Sequence, residues 1–206
     1  MDWSDLLPIL IGLLAVVGLP FAFRRRKKEG PKKTEELCQH LQGMGIKASV
    51  LESGANQEKV GGKRSWGRKS VGVIKLAGKD IDSLNVTGVA SQYGVQYFLD
   101  FIVRSSSLTG KENKQKTKMV RKKSSLLLGK TIDIEWKGDD FLARKLNIDY
   151  RLQDRLLQAD ISVLKGGVSI FPEPGQGYTR IRTTYFMPTP DLFEAMGIIA
   201  KHIKSA

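Results

Sequence analysis

The order of hydrophobic and polar positions divides this chain of 206 residues into two unequal parts. Residues 6–23 form an unbroken apolar run of 18 residues without a charged side chain. Wound as a helix that rises about 1.5 Å per residue, the run approaches the thickness of a bilayer's hydrocarbon core, which is roughly 30 Å. From residue 34 onward, apolar positions instead recur with the periods of amphipathic helices and strands. The pattern predicts a transmembrane helix at 6–23, followed by a folded domain at 34–206.

Strand patterns dominate the folded part. The segment 93–104 is the clearest, because apolar residues alternate along its whole length. Consecutive strand patterns without a helix between them favour an α+β domain with a largely antiparallel sheet and its helices on one face. We expect about six strands, at 46–52, 71–77, 93–104, 132–137, 159–173 and 177–186.

About three helices are predicted, each from an apolar stripe and a residue suited to cap it. The first begins at Thr34 and the last at Thr189. The middle one follows Asp139 or Asp140 and is interrupted near Asn147. Threonine and aspartate side chains accept hydrogen bonds from the free N–H groups at a helix start, so they are frequent N-caps. The last helix has the strongest signals, since a proline follows its cap.

The formal net charge of +13 is unevenly distributed. Residues 24–33, directly after the apolar run, contain seven Arg or Lys residues and one Glu. Basic residues beside a membrane span stay on the cytoplasmic side, which places the N-terminus outside and the domain in the cytoplasm. A cleaved signal peptide would carry its positive charges before the apolar core, and a buried helix is seldom apolar all round. The predicted organisation is therefore an N-terminal segment at 1–23, a basic juxtamembrane linker at 24–33 and a cytoplasmic domain.

Two further basic stretches, 59–69 and 111–123, have a polar and partly glycine-rich composition that predicts loops. Clustered cations of this kind attract anionic partners. Because the domain is tethered at a membrane, we expect anionic lipid headgroups or an acidic protein, and favour nucleic acid less. The candidate binding residues are cations from the linker and both stretches, with one tryptophan: Arg24, Arg25, Arg26, Lys27, Lys28, Lys63, Arg64, Trp66, Arg68, Lys69, Lys118, Arg121, Lys122 and Lys123.

Four neighbouring carboxylates are the candidates for catalysis: Asp133, Glu135, Asp139 and Asp140. The first two fall on one face of a predicted strand, where they could converge for acid–base chemistry or hold a hard cation. A polar strand face followed by a helix cap explains the same four residues without any chemistry. The single cysteine and two histidines are too few for a transition-metal site. We therefore expect neither a metal nor a cofactor.

These features predict a membrane-anchored protein whose cytoplasmic domain is a non-catalytic binding or scaffolding module. The lone Cys38 is compatible with a reducing compartment, because it has no partner for an intramolecular disulfide. Two alternatives remain open. One is a membrane-tethered enzyme that uses the carboxylate cluster, and the other is a membrane-tethered nucleic-acid-binding protein that stacks bases on Trp66.

Overall fold

An antiparallel sheet of eight strands organises the part of the chain that the computed structural model describes, which is residues 29–51, 68–104, 115–123 and 131–205. The strands are β1 (Ala48–Val50), β2 (Arg68–Leu76), β3 (Ser83–Ser91), β4 (Gly94–Arg104), β5 (Thr117–Lys123), β6 (Thr131–Lys137), β7 (Ser169–Glu173) and β8 (Tyr178–Thr184). Across the sheet their order is β1-β2-β3-β4-β8-β7-β5-β6. The predicted α+β class and antiparallel sheet are confirmed.

Four helices cover one face of this sheet: α1 (29–43), α2 (Asp140–Ile148), α3 (Tyr150–Gln158) and α4 (Pro190–Lys204). Their apolar stripes meet alternate strand residues in a single core, which includes Leu41 of α1, Leu146 of α2, Leu152 of α3, Ile199 of α4 and Phe101 of β4. None of the helices within the described residues is long and apolar enough to cross a bilayer. The run 6–23, predicted to do so, lies outside these residues.

The helix caps read from the sequence are present, with one exception. Thr189 accepts a hydrogen bond from the backbone N–H of Leu192 at the start of α4. Asp139 caps α2 in the same way. The break that was predicted near Asn147 lies at Asp149, which separates α2 from α3 and caps α3. The exception is Thr34, which lies inside α1 and donates to the carbonyl oxygen of residue 30.

Helix α1 takes in residues 29–33, which the sequence had assigned to the linker. Thr34 is buried there because it packs against β2: a Cβ added to Gly72 would lie only 2.5 Å from the Thr34 hydroxyl oxygen. A side chain that is fully enclosed by a neighbouring strand cannot also serve as the exposed start of a helix. Tertiary packing therefore overrides the local capping preference of this threonine.

Strand β3 was not predicted, because polar residues occupy its second face. Leu84 and Val86 enter the main core, whereas Asn85 and Thr87 between them are also fully buried. A strand that buries polar side chains lacks the usual contrast between an apolar inner face and a charged outer face. The order of polar and apolar residues in β3 therefore resembles that of a polar loop between two strands.

The basic stretch 111–123 was predicted to be a loop, and this prediction was wrong for residues 117–123. They form β5, which pairs with β6 along its length and with β7 at its start. Met119 is its buried apolar anchor. Cross-strand ion pairs with β6 offset part of its charge, since Lys122 lies 3.0 Å from Asp133. Charge density alone therefore did not distinguish a strand in the sheet from a solvated loop.

A buried ion-pair network occupies the sheet face opposite the helices. Asp100 of β4 and Arg182 of β8 are cross-strand partners joined by two hydrogen bonds of 2.6 Å. The Thr87 hydroxyl donates to the same carboxylate at 2.9 Å, and Asp100 is 0% exposed. Beside this pair, Arg180 donates to Glu173 at 2.7 Å, and its guanidinium stacks on Phe171. The network fixes which face each of these strands turns toward the helices.

Strand β6 lies at the edge of the sheet, where its free backbone groups need partners. The Asn147 side chain of α2 supplies them at Trp136: it accepts from the backbone N–H at 2.7 Å and donates to the backbone carbonyl at 3.0 Å. The Asp133 carboxylate accepts from the backbone N–H of Ile134. Two side chains thus imitate the hydrogen bonds of a further strand.

Replacing Asp100 by asparagine in the full chain should lower the free energy of unfolding by about 3–5 kcal/mol, because it leaves the Arg182 guanidinium buried without its counter-charge. The matched control is Asp133→Asn, which removes a carboxylate from an ion pair on the same sheet face that is 45% exposed. This control should cost far less, because water screens exposed pairs. Urea unfolding followed by circular dichroism compares the two, and similar losses would contradict a central role for the buried pair.

Candidate functional site

A groove of about 700 Å³ runs along the outer side of α4. Its walls come from four separate parts of the chain: the end of α1, the turn between β2 and β3, the start of α3, and α4 itself. Hydrophobic side chains from the end of α1, from the β2–β3 turn and from α4 form its floor, and charged side chains line its rim. The apolar lining residues are Met44, Ile46, Ile81, Pro190, Phe193 and Ile198.

Helix α4 contributes one continuous face to the groove. Its lining residues recur three or four positions apart over the whole helix, from Pro190 to Ser205. Residues with this spacing lie on one side of a helix, and a helix of this length extends over about 22 Å. The opposite side of α4 is buried in the core, with Leu192, Met196 and Ile199 fully enclosed. The groove is therefore an elongated surface on a rigid wall.

Gly197 lies halfway along this wall, at a position where glycine is unfavourable. Glycine in a helix interior costs about 0.5–1 kcal/mol relative to alanine. Packing does not require it here, because a Cβ added to Gly197 would meet no atom within 4 Å. The fold therefore accepts a local loss of stability and leaves open space in the middle of the groove.

The charges around the groove are unequally paired. Lys201 lies 3.8 Å from Asp80, and Glu194 lies 3.2 Å from Arg155, which borders the site from α3. Asp149 is hydrogen-bonded to His202. Two lining cations, Lys79 and Arg151, have no ion-pair partner among the described residues. The charged lining side chains balance in number, three cations against three carboxylates, and Lys79 and Arg151 are the two cations left without an ion pair among the described residues.

The Asp149–His202 contact is the shortest polar interaction in the groove, at 2.6 Å between carboxylate oxygen and Nε2. Partial burial acts to raise the pKa of the Asp149 carboxyl, but hydrogen bonds from His202 and from the backbone N–H of Leu152 outweigh it, so the pKa lies below its ordinary value of 3.8. The carboxylate thus stays ionised at neutral pH. It holds the imidazole at the rim and caps α3 at the same time.

The four predicted carboxylates do not come together in this groove. Asp133 and Glu135 lie on the opposite sheet face, where Lys122 is 3.0 Å and 3.7 Å from them. Asp139 and Asp140 lie at the start of α2, as cap and first residue. Among the described residues, no group of three or more His, Cys, Asp or Glu side chains is placed to hold a metal ion. Ion pairs account for Asp133 and Glu135, and a helix cap accounts for Asp139, while Asp140 is the acidic residue in the first turn of α2.

Those predicted basic residues whose side chains the structure describes are dispersed. Lys118 and Lys122 extend from the sheet face that carries the Asp100 network, and Lys69 is exposed on β2. Arg121 points the other way and donates to the backbone carbonyls of Ile161 and Lys165. Arg68 and Lys123 begin β2 and end β5, and nothing is described of their side chains. The remaining candidates lie outside the described residues: Arg24, Arg25, Arg26, Lys27, Lys28, Lys63, Arg64 and Trp66.

Sequence reasoning missed the groove because its residues are far apart in the chain. Asp149 and His202, for example, are separated by 53 positions. One local signal was available: the glycine in the middle of α4, the helix with the strongest sequence signature. An interior glycine in a helix that is well capped at its start departs from the local helix preference, and this departure marks the position that proved to lie in the groove.

Comparisons with known proteins give no match, since no family model, no curated protein and no solved structure is similar to this chain. The molecule is therefore characterised by its architecture: an α+β domain with an eight-stranded antiparallel sheet, four helices on one face, and a groove along the last helix. Its functional interpretation depends on the geometry and charge of that groove.

Replacing Gly197 by alanine should raise the free energy of unfolding by about 0.5–1 kcal/mol, because the added methyl group enters open space and removes the cost of glycine in a helix. The control is Gly72→Ala, whose Cβ would collide with buried Thr34 and should lower stability by about 1–3 kcal/mol. Thermal and urea unfolding of the full chain measure both. If Gly197→Ala destabilises the protein, this glycine has a structural role.

Proposed function

We propose that this protein is a membrane-anchored, non-catalytic binding module, and that its groove along α4 receives an apolar segment of an acidic protein partner. The observation that carries the proposal is the groove itself, with its apolar floor, its unoccupied centre at Gly197 and its unmatched cations. Elongated grooves that run along a helix are a common means of binding a protein segment. A small molecule would instead favour a more enclosed cavity that buries most of its surface.

The anchor is residues 6–23, and its support comes from the sequence. The run has the length of a bilayer span, and cations follow it immediately. Their position on one side only favours an outside N-terminus and a cytoplasmic domain. The same cations lie beside the headgroup layer, where each contributes on the order of 1 kcal/mol of attraction to anionic lipid.

The charge of the partner follows from pairing within the groove. The acidic lining residues have cations or a histidine beside them, whereas Lys79 and Arg151 have no carboxylate in ion-pair contact among the described residues. An incoming carboxylate would therefore find two available cations, while an incoming lysine would meet carboxylates that are already paired. Electrostatic complementarity of this kind selects the partner and speeds its association.

The two alternative functions have less support. The carboxylates needed by a tethered enzyme are engaged in exposed ion pairs or in helix capping, and they do not line the groove. A nucleic-acid interface would depend on Trp66 and the cations near it, which the structure does not describe. The described cations of β5 are dispersed over two faces and do not form a continuous basic surface.

Alkaline carbonate extraction should leave the full chain in the membrane fraction, because a spanning helix resists extraction whereas a peripheral protein is released. Protease added to intact cells or spheroplasts should spare the domain and digest it only after detergent is added. Release by carbonate would contradict the anchor. Digestion without detergent would contradict the proposed orientation.

A photoreactive aromatic residue at position 198 should cross-link the partner in cells, and the same probe at Phe141 should not. Phe141 is 55% exposed on α2 and does not line the groove, so it is a matched control. A second substitution, Gly197→Met, should abolish the adduct because it fills the groove, whereas Gly197→Ala should keep it. Replacing both Lys79 and Arg151 by glutamate, which reverses their charge, should lower the yield of the adduct about tenfold.

Mass spectrometry of the adduct provides the chemical test of the partner. The cross-linked peptide should combine apolar side chains with aspartate or glutamate. Equal adducts from both probe positions, or an adduct that survives Gly197→Met, would contradict the groove as the binding site. An adduct on a basic segment would contradict the predicted charge of the partner.

A further inference from the structure

The end of the domain opposite the groove is the end at which the described chain begins. Gly30 of α1 packs directly on β2, since a Cβ added to it would lie 2.7 Å from the Val71 side chain. Only residues 24–29 separate Gly30 from the apolar run. Even fully extended, six residues span about 20 Å. If residues 6–23 cross the bilayer, this end of the domain is therefore held close to the membrane surface.

The β3–β4 hairpin lies at the same end. Val71 and the side chains of Val95 and Tyr97 surround Gly88, at distances of 3.2–3.7 Å from an added Cβ. From Gly88 the hairpin continues for three more residues to its tip, or about 10 Å at the rise of a strand. The tip is thus next to the start of α1. The part of the groove that α1 contributes, at Met44, lies about 20 Å away along that helix, whereas the start of α4 at Pro190 is nearer.

Tyr93 is the residue at this tip, and the fold gives no reason for a tyrosine there. It is 91% exposed in a two-residue turn between the paired residues Ser91 and Gly94. The Ser91 side chain closes the turn, accepting from the Tyr93 N–H at 3.3 Å and donating to the Gly94 carbonyl at 3.1 Å. Turns of this length favour asparagine and glycine, so an aromatic residue is not needed to form it. A rigid turn therefore presents an uncovered phenol ring.

Other exposed side chains nearby suit the boundary between water and lipid. Val95 and Met187 are each 38% exposed, and Met187 is next to Tyr185, whose hydroxyl donates to the Lys33 carbonyl. Among the described side chains of this end, Lys32, Lys33 and Lys69 are matched in number by three glutamates in α1: Glu29, Glu35 and Glu36. Contact with a membrane here would depend on aromatic and apolar groups, which tyrosine supplies best at an interface.

We infer that the β3–β4 hairpin docks on the bilayer, with Tyr93 inserted at the headgroup level, so that the groove along α4 is turned away from the membrane toward the cytoplasm. This inference rests on the proposed anchor. It adds a second point of attachment, and two attachments fix an orientation that one tether leaves free. Because Tyr93, Val95 and Met187 would make this contact through aromatic and apolar groups, it does not require anionic lipid and resists salt.

The experiment uses the full chain in phosphatidylcholine vesicles that contain a nitroxide-labelled lipid as a fluorescence quencher. Cysteine replaces Tyr93 in one variant and Tyr150, which is 77% exposed beside the groove, in the other. A maleimide fluorophore labels the new cysteine selectively, because Cys38 is 5% exposed and burial raises the pKa of its thiol. Quenching at position 93 should exceed that at position 150 at least twofold, and it should persist in about 0.5 M salt, where exposed charges are screened.

Three results would count against the inference or its basis, and they are distinguishable. If the chain floats with the vesicles and both positions are quenched equally, the hairpin does not dock although the anchor holds. If quenching at position 93 disappears in high salt or requires anionic lipid, the contact is electrostatic and the inference is overturned as stated. If the chain does not float with the vesicles, the proposed anchor itself fails.

Discussion

The Asp100–Arg182 ion pair joins β4 to β8, the strands at which the two halves of the sheet meet. On one side of this junction lie β1 to β4, which follow one another in sequence; on the other lie β8, β7, β5 and β6. A slip of one residue in either strand would turn its buried charge toward the apolar core and leave the other charge without its partner. The strand β8 leads directly into α4. The position of the groove wall therefore depends on this one desolvated contact.

The parts of the fold that could be predicted from the sequence have one apolar and one polar face. The strand β4 and the helix α4 are such elements, with Phe101 and Ile199 in the core at the expected period. Strands β3 and β5 could not be predicted, because Asn85 and Thr87 are buried polar residues and because β5 carries cations throughout. Their conformation is determined by neighbouring strands, and those pairings are contacts between distant residues that local periodicity does not encode.

The candidate site was less predictable than the fold. The carboxylates singled out in the sequence are close together in the chain, and the structure gives them capping and surface ion-pair contacts. The groove instead gathers residues from four segments, and its apolar floor has the same composition as the core beside it. Among the α4 residues that line the groove after the first turn, Gly197 was the one with a low helix propensity. A departure from the local helix preference thus pointed to the groove, whereas the cluster of reactive side chains did not.

The pairing of Asn147 with the edge strand β6 has a consequence for copies of this protein that meet one another, most of all if they share a membrane as proposed. Molecules anchored in a membrane diffuse in two dimensions and meet one another often, so an open strand edge on each would favour the growth of shared sheets. Asn147 occupies both backbone hydrogen-bonding groups of Trp136, and Asp133 occupies the N–H of Ile134. These contacts occupy three of the backbone groups through which a second copy could pair along β6, and so they disfavour growth of a shared sheet at this edge.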